Sequence, residues 1–148
     1  MRIEAAISSD ITALNELLAE LFSQEQEFAP NSEAQPKGLL MIINNPDAGV
    51  VLLARRGEKI VGMVNILFTI STALGARVAL LEDMIIASAS RGEKIGTQLL
   101  TEAILLARSR GCKRITLLTD GANKSAQRFY AKQGFIVSSM IPMRISLE

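Results

Sequence analysis

At 148 residues the chain has the size of one ordinary domain, able to bury an apolar core without metal or disulfide staples, and a single domain over 1–148 is expected. Sixteen basic against fifteen acidic residues argue against nucleic acid or an anionic membrane as the main partner, so any anion must be met locally. One cysteine and no histidine exclude disulfides, ordinary zinc sites, Cys-His pairs and Ser-His-Asp triads, which leaves acid and base work to Asp, Glu, Tyr or Lys.

The opening RIEAAI, residues 2–7, predicts a short strand, and Asp10 is placed as the cap of a helix in which Ile11, Leu14, Leu17, Leu18 and Leu21 recur at helical spacing. No apolar stretch approaches the roughly 20 residues of a membrane span, and MRIEAAISSD lacks the continuous apolar core of a secretory signal. A cytoplasmic location without a membrane partner is expected. Residues 23–37, rich in Gln, Glu, Asn and Ser with two prolines, read as a loop, followed by a short apolar helix near Leu39 to Ile43. Val50–Arg55 and Lys59–Phe68 read as a hairpin turning through Arg56, Gly57 and Glu58, and a turn around Gly75 leads into a strand over 77–87.

A helix from about Lys94 to Ser109 ends at Gly111, and Arg114–Thr119 forms a further strand, parallel to 77–87 because a helix links them. Cys112, at that junction, packs as a small structural residue. Asn123–Gln133 is the last helix, with Gly134 as its cap. The tail FIVSSMIPMRISL is strand-like, with Pro142 forcing part of it to an edge or bend. The order implies a mixed α/β fold, a central mixed sheet of about six or seven strands flanked by about four helices. An apolar tail too short for a comfortable hairpin suggests a homodimer through the terminal strand.

The turn Arg91, Gly92, Glu93, Lys94, Ile95, Gly96 runs straight into the helix that carries Thr97. The first N–H groups of a helix lack internal partners and face an incoming anion, and here two glycines and two cations surround them. In strand 77–87, alternation places Leu80, Glu82, Met84 and Ile86 on one side and Leu81, Asp83 and Ile85 on the other. Both sides are otherwise apolar, so an acid there either forms a salt bridge or belongs to a site. On the last helix, Phe129 with Ala126 is the core candidate. Tyr130, the only tyrosine, is either an ordinary amphipathic residue or, with histidine missing, a proton donor.

Nearly the whole chain resembles the GNAT superfamily of acetyl-coenzyme A dependent N-acetyltransferases. Its pyrophosphate loop, Q/R-x-x-G-x-G/A, is matched by Arg91 and Gly96, with Lys94 where the family usually has glycine. Its N-x-x-A-x-x-F-Y-x-x-x-G-F segment is matched by Asn123, Ala126, Phe129, Tyr130, Gly134 and Phe135. The run Leu81-Glu82-Asp83 is similar to strands of polyamine-type members in which the Glu is the base.

The resemblance implies that acetyl-coenzyme A binds through residues 91–97, Met84, Ile85, Ile86, Asn123, Ala126, Phe129 and Tyr130. It implies direct attack by a primary amine in a ternary complex, with Tyr130 protonating the departing thiolate. Reference pKa values near 10 and 8.5 make that transfer uphill by only about 2 kcal/mol. A glutamate near 4.3 facing an ammonium near 10 is a poorer match, so Glu82 would act through water or be raised by burial. The acceptor, expected to be a small-molecule amine, would be bound by the first two helices and their connection, with help from the turn near 68–75. Phe22, Glu25, Glu27, Phe28 and Asp83 are its candidate contacts. Two other readings are a binding module that holds acyl-coenzyme A without catalysis and an enzyme that acetylates a protein amino terminus or lysine. A dinucleotide-binding oxidoreductase fits poorly, because the loop comes late in the chain and lacks the tight G-x-G-x-x-G opening. No metal site is expected.

Overall fold

Near-continuous apolar runs make three consecutive strands the buried middle of the sheet, in a computed structural model that describes residues 1–24 and 33–148. Strands β1 (Arg2–Ala5), β2 (Gly49–Arg56), β3 (Lys59–Ser71), β4 (Ala76–Ile86) and β5 (Ile115–Leu117) lie in the sheet in their order along the chain. Each of the first four is antiparallel to its neighbour, and β5 is parallel to β4. Short connections dictate this. Gly57, at φ +60, turns β2 into β3, and Gly75, at φ +63, turns β3 into β4, in a backbone region that a side chain disfavours.

One face of the sheet packs on α1 (Ile11–Gln24) and α2 (Ala34–Ile43). Leu14, Leu17, Leu18 and Leu39 meet Val51, Leu53, Met63 and Ile85 there. The other face packs on α3 (Ile95–Ser109), whose buried stripe is Ile95, Leu99, Leu100, Ala103 and Ala107, the spacing that the helix period requires. Truncating a fully buried leucine such as Leu14 or Leu53 to alanine costs about 3 kcal/mol.

The chain divides into residues 1–118, which hold the sheet and α1 to α3, and residues 119–148, which hold α4 (Lys124–Lys132). Glycine caps stand where the sequence places them: Gly111 follows α3 at φ +81 and Gly134 follows α4 at φ +102.

Several expectations are corrected. The sheet has five strands among the described residues, because the tail 136–148 forms none. A strand exists only through a ladder partner, and the tail's Ile136, Val137, Met143 and Leu147 are more than nine-tenths exposed. β1 stops at Ala5, and Ser8–Asp10 form a turn of 3-10 helix. The Asp10 carboxylate accepts the Ile7 N–H at 2.9 Å and an Arg55 N–H at 2.8 Å, so it ties the chain entry to β2. α1 runs to Gln24 and α2 starts at Ala34, both inside the stretch read as loop. Pro36 is tolerated because the first N–H groups of a helix have no internal acceptor to lose. β3 extends to Ser71, and β5 shrinks to three residues.

Candidate active site

The ladder between β4 and β5 contains only Ala79↔Ile115, Leu80↔Thr116 and Leu81↔Leu117. β4 continues for five more residues, Glu82 to Ile86, with no strand beside it on that side among the described residues. Main-chain groups on that side of β4 are therefore available to an extended ligand, which can join the sheet edge as a strand would.

In that same stretch β4 is irregular. Met63 pairs with Ile85 and Asn65 with Glu82, so two steps along β3 match three along β4, and Val64 stands opposite both Asp83 and Met84. The extra residue is a β-bulge, and Asp83 sits in it at φ +55, a left-handed conformation that few residues with a Cβ adopt. This breaks the strict alternation expected for 80–86. It also corrects the view of a strand buried on both faces: Glu82 is exposed, Asp83 and Met84 are half-buried, and only Ile85 is fully buried in this part. The Asp83 carboxylate accepts a hydrogen bond from Asn65 Nδ2 at 2.7 Å.

Beyond Ile86 a short 3-10 turn, Ser88–Ser90, leads into the glycine-containing loop and α3. The backbone N–H groups of Gly92 through Thr97 donate to no acceptor among the described residues, and the first such bond of the helix start runs from Gln98 N to Lys94 O. Six successive amides in a turn that opens a helix make an anion cradle. Gly92 has φ +87. Lys94, standing where the related families place glycine, has φ +62 and ψ +17 and so keeps the glycine-like backbone.

The loop's charged side chains are not equivalent. Arg91 donates from Nε to Ile86 O at 3.3 Å and pairs with Glu20 at 3.4 Å, which fastens the loop to the end of β4 and to α1. Glu93 pairs with Arg56 at 2.7 Å. Lys94 has no side-chain partner among the described residues, and its exposed ammonium is the cation left for an anion.

Residues 119–148 hold the second motif. Asn123 is exposed and its Oδ1 accepts the Ala126 N–H at 3.0 Å, so it caps α4, a structural duty its sequence assignment to the cofactor did not include. Neither member of the aromatic pair is a fully buried core residue: Ala126, Phe129 and Tyr130 are all half-buried. The Tyr130 ring packs edge-on against Phe129 at 5.2 Å and Phe135 at 5.8 Å between centroids. Burial pushes the Tyr130 hydroxyl above its usual pKa of 10.0, so it stays protonated through the neutral range.

Of the acceptor candidates, Phe22 lies on α1 with a side chain that is not described, and Glu25, Glu27 and Phe28 lie outside the described residues. Phe68 is sandwiched by the guanidinium groups of Arg77 and Arg110 at 5.2 and 5.5 Å, and the tip of its hairpin is roughly 20 Å along β4 from Glu82. Sequence reading overlooked Asn65. Its signal was a lone polar residue inside the apolar run Ile60 to Ile66, all of it buried.

The Acetyltransferase (GNAT) family model matches residues 11–135 of the chain. The chain is 28% identical over 138 residues to an uncharacterized N-acetyltransferase, YhfO, of Bacillus subtilis, covering 91% of this chain and 89% of that one. It is 27% identical over 130 residues to the aminoalkylphosphonate N-acetyltransferase of Salmonella typhimurium, covering 88% and 81%. Among solved structures, a transcriptional regulator from Bacillus halodurans C-125 superposes with a TM-score of 0.84 at 29% identity, covering 99% of each chain.

Proposed function

The chain belongs to the GNAT acetyltransferase family, and from that we propose that it is a single-domain, cytoplasmic enzyme moving the acetyl group of acetyl-coenzyme A to a primary amine of a small molecule. The observation that carries this reading is the row of unpartnered amides from Gly92 to Thr97 beside the exposed Lys94. Such a row fits a diphosphate, and the open side of β4 from Glu82 to Ile86 fits the amide-bearing arm that follows it. When bound, acetyl-coenzyme A supplies a thioester as the acyl donor.

The residues then divide the work. Met84, Ile85 and Ile86 offer main-chain groups to the arm, and Gly92 to Thr97 hold the phosphates. The acceptor nitrogen attacks directly in a ternary complex. Glu82 Oε takes up the acceptor's proton through water, a route that its solvent exposure favours. Tyr130 Oη gives its proton to the leaving sulfur. Because burial raises the tyrosine, the uphill transfer exceeds the reference figure of about 2 kcal/mol, and Tyr130 acts as an acid and not as a base.

A cavity of about 490 Å³ among residues 1–118, lined by Glu16, Glu20, Glu58 and Lys59 with Leu17, Ile60 and Ala87, carries three carboxylates against one ammonium and so suits a small cationic acceptor. An amine acceptor agrees in class with the aminoalkylphosphonate named for the Salmonella relative. The exposed apolar tail, Ile136 to Leu147, supports a homodimer contact. That the Bacillus halodurans protein is named a transcriptional regulator favours a second reading, an acyl-coenzyme A binding module without turnover.

Calorimetric titration with acetyl-coenzyme A, followed by thiol release over a panel of amines, separates the two. Saturable binding with acceptor-dependent release is expected, and Tyr130→Phe should lower turnover at least tenfold with little change in coenzyme affinity. Binding without release from any amine or peptide would favour the module, and absence of binding would overturn both.

A further inference from the structure

Asn65 is 3% exposed, in the middle of the sheet, and its Oδ1 has no hydrogen-bond partner among the described residues. An orphaned buried carbonyl costs about 1–3 kcal/mol, and an apolar residue of similar size at that position would avoid it. Stability therefore does not account for this side chain. Its neighbours sharpen the point: Met63, Val64 and Ile66 are fully buried apolar residues, and Val51 faces it across β2. What the amide does make is the bond from Nδ2 to Asp83, across the strand pair at the one place where β4 departs from regular pairing.

Asp83 is held there at φ +55, which costs about 1–2 kcal/mol for a residue with a Cβ. A strained residue persists only where its surroundings over-determine it, and such residues gather at sites. The bulge also decides which main-chain groups of β4 face the open side of the strand. If Asp83 relaxed to ordinary strand geometry, the three-for-two pairing would be lost. Every main-chain group from Asp83 to the Met63↔Ile85 pair would then turn by one pleat.

We infer that Asn65 is a positioning residue for acetyl transfer: its amide fastens the Asp83 side chain and so locks the bulge that aims β4 main-chain groups at the acyl donor. This rests on the proposed binding of the donor along β4. The fastener acts through backbone geometry, so the carboxylate of Asp83 is the handle and not the group that meets the ligand. A glycine at position 83 would take the same φ without needing a handle.

The test uses Asn65→Leu, Asp83→Gly and the double variant of the full chain. Asn65→Leu should lower kcat about tenfold at temperatures where the variant remains fully folded by circular dichroism. Amide chemical shifts and hydrogen exchange at Asp83 to Ile85 should change while those of β2 stay fixed. Asp83→Gly should leave the amide shifts of Met84 and Ile85 near those of the wild type, and Asn65→Leu should cost little further kcat and move those shifts little when Asp83 is already glycine. Unchanged kcat and unchanged amide shifts in Asn65→Leu would overturn the inference. So would a rate loss that merely follows unfolding, or an Asn65→Leu loss as large in the Asp83→Gly background as in the wild type. If the wild type shows no acetyl transfer at all, the proposed function and the positioning role in it fail together. The amide shifts would then still decide whether Asn65 locks the bulge.

Discussion

Replacing Lys94 by glycine separates the backbone of the proposed phosphate loop from its charge. Lys94 sits at φ +62 and ψ +17, where a residue with a Cβ is disfavoured by about 1–2 kcal/mol. Its side chain is exposed and without a partner among the described residues, so removing it forfeits no packing. Glycine gives back about 0.5–1 kcal/mol through the greater freedom of the unfolded chain. Loss of a cation from the start of α3 adds roughly 0.3 kcal/mol of stability, since a helix N-terminus disfavours positive charge. The balance is a gain of about 1 kcal/mol, or roughly 2–4 °C in melting temperature for a chain of this size. Lys94→Ala is the decisive control, because it removes the same charge and keeps the strain, and it should gain only a few tenths of a kcal/mol. Both variants keep the amides of Gly92 to Thr97, so coenzyme binding should weaken only a few-fold at low ionic strength and converge on wild type in high salt. The assay is chemical or thermal unfolding without ligand, then titration with coenzyme A at two salt concentrations. An equal gain in Lys94→Ala and Lys94→Gly, or a loss in Lys94→Gly, would refute the assignment of strain to this residue.

Asp10→Asn should cost about 2–3 kcal/mol at neutral pH, read by urea unfolding, because it removes a charge-assisted bond to Arg55. Burial pushes the Asp10 carboxyl up, but the Ile7 N–H and the Arg55 guanidinium outweigh it and hold the pKa below 3.8. A depressed folded pKa gives stability that is present above about pH 3.8 and fades as pH falls through the folded value, so the wild type should lose its lead over the variant in strong acid. Tyr130 has the opposite sign: its folded pKa is raised, so its contribution is full below about pH 10 and is lost as pH rises through the folded value. As the only tyrosine it can be titrated by tyrosinate absorbance, and a midpoint at or below 10 in the folded protein would contradict its burial. Gly49→Ala should destabilise by about 2 kcal/mol, since its Cβ would stand 2.5 Å from Ile66 O on the neighbouring strand. Gly38→Ala, within α2 and with nothing within 4 Å of the added carbon, should stabilise by about 0.7 kcal/mol, and both are read from melting curves.

Much of the site was legible because it is local. In the turn Arg91 to Gly96, glycine spacing and the start of a helical period produce free amides wherever the turn lies in the molecule. The hairpin at Gly57, the caps at Gly111 and Gly134 and the parallel placement of β5 follow equally from neighbouring residues and short connections. Tyr130 could be singled out from composition, since histidine is missing and no second tyrosine competes with it.

Tertiary structure decided the rest, and the reason is partnership across long separations. Period-two alternation assigned Glu82 and Asp83 to opposite faces of a buried strand. It could not foresee a bulge that exists only because β4 pairs with residues 63–65 of another strand. The same holds for the tail, whose pattern reads as a strand but which has no ladder partner among the described residues, and for the overlooked Asn65, whose hydrogen bond goes to Asp83, 18 positions away. The sequence by itself determined where amides are left free and where the chain turns. Folding alone determined which strand residues leave the ladder, because pairing is a property of two segments and no single segment encodes it.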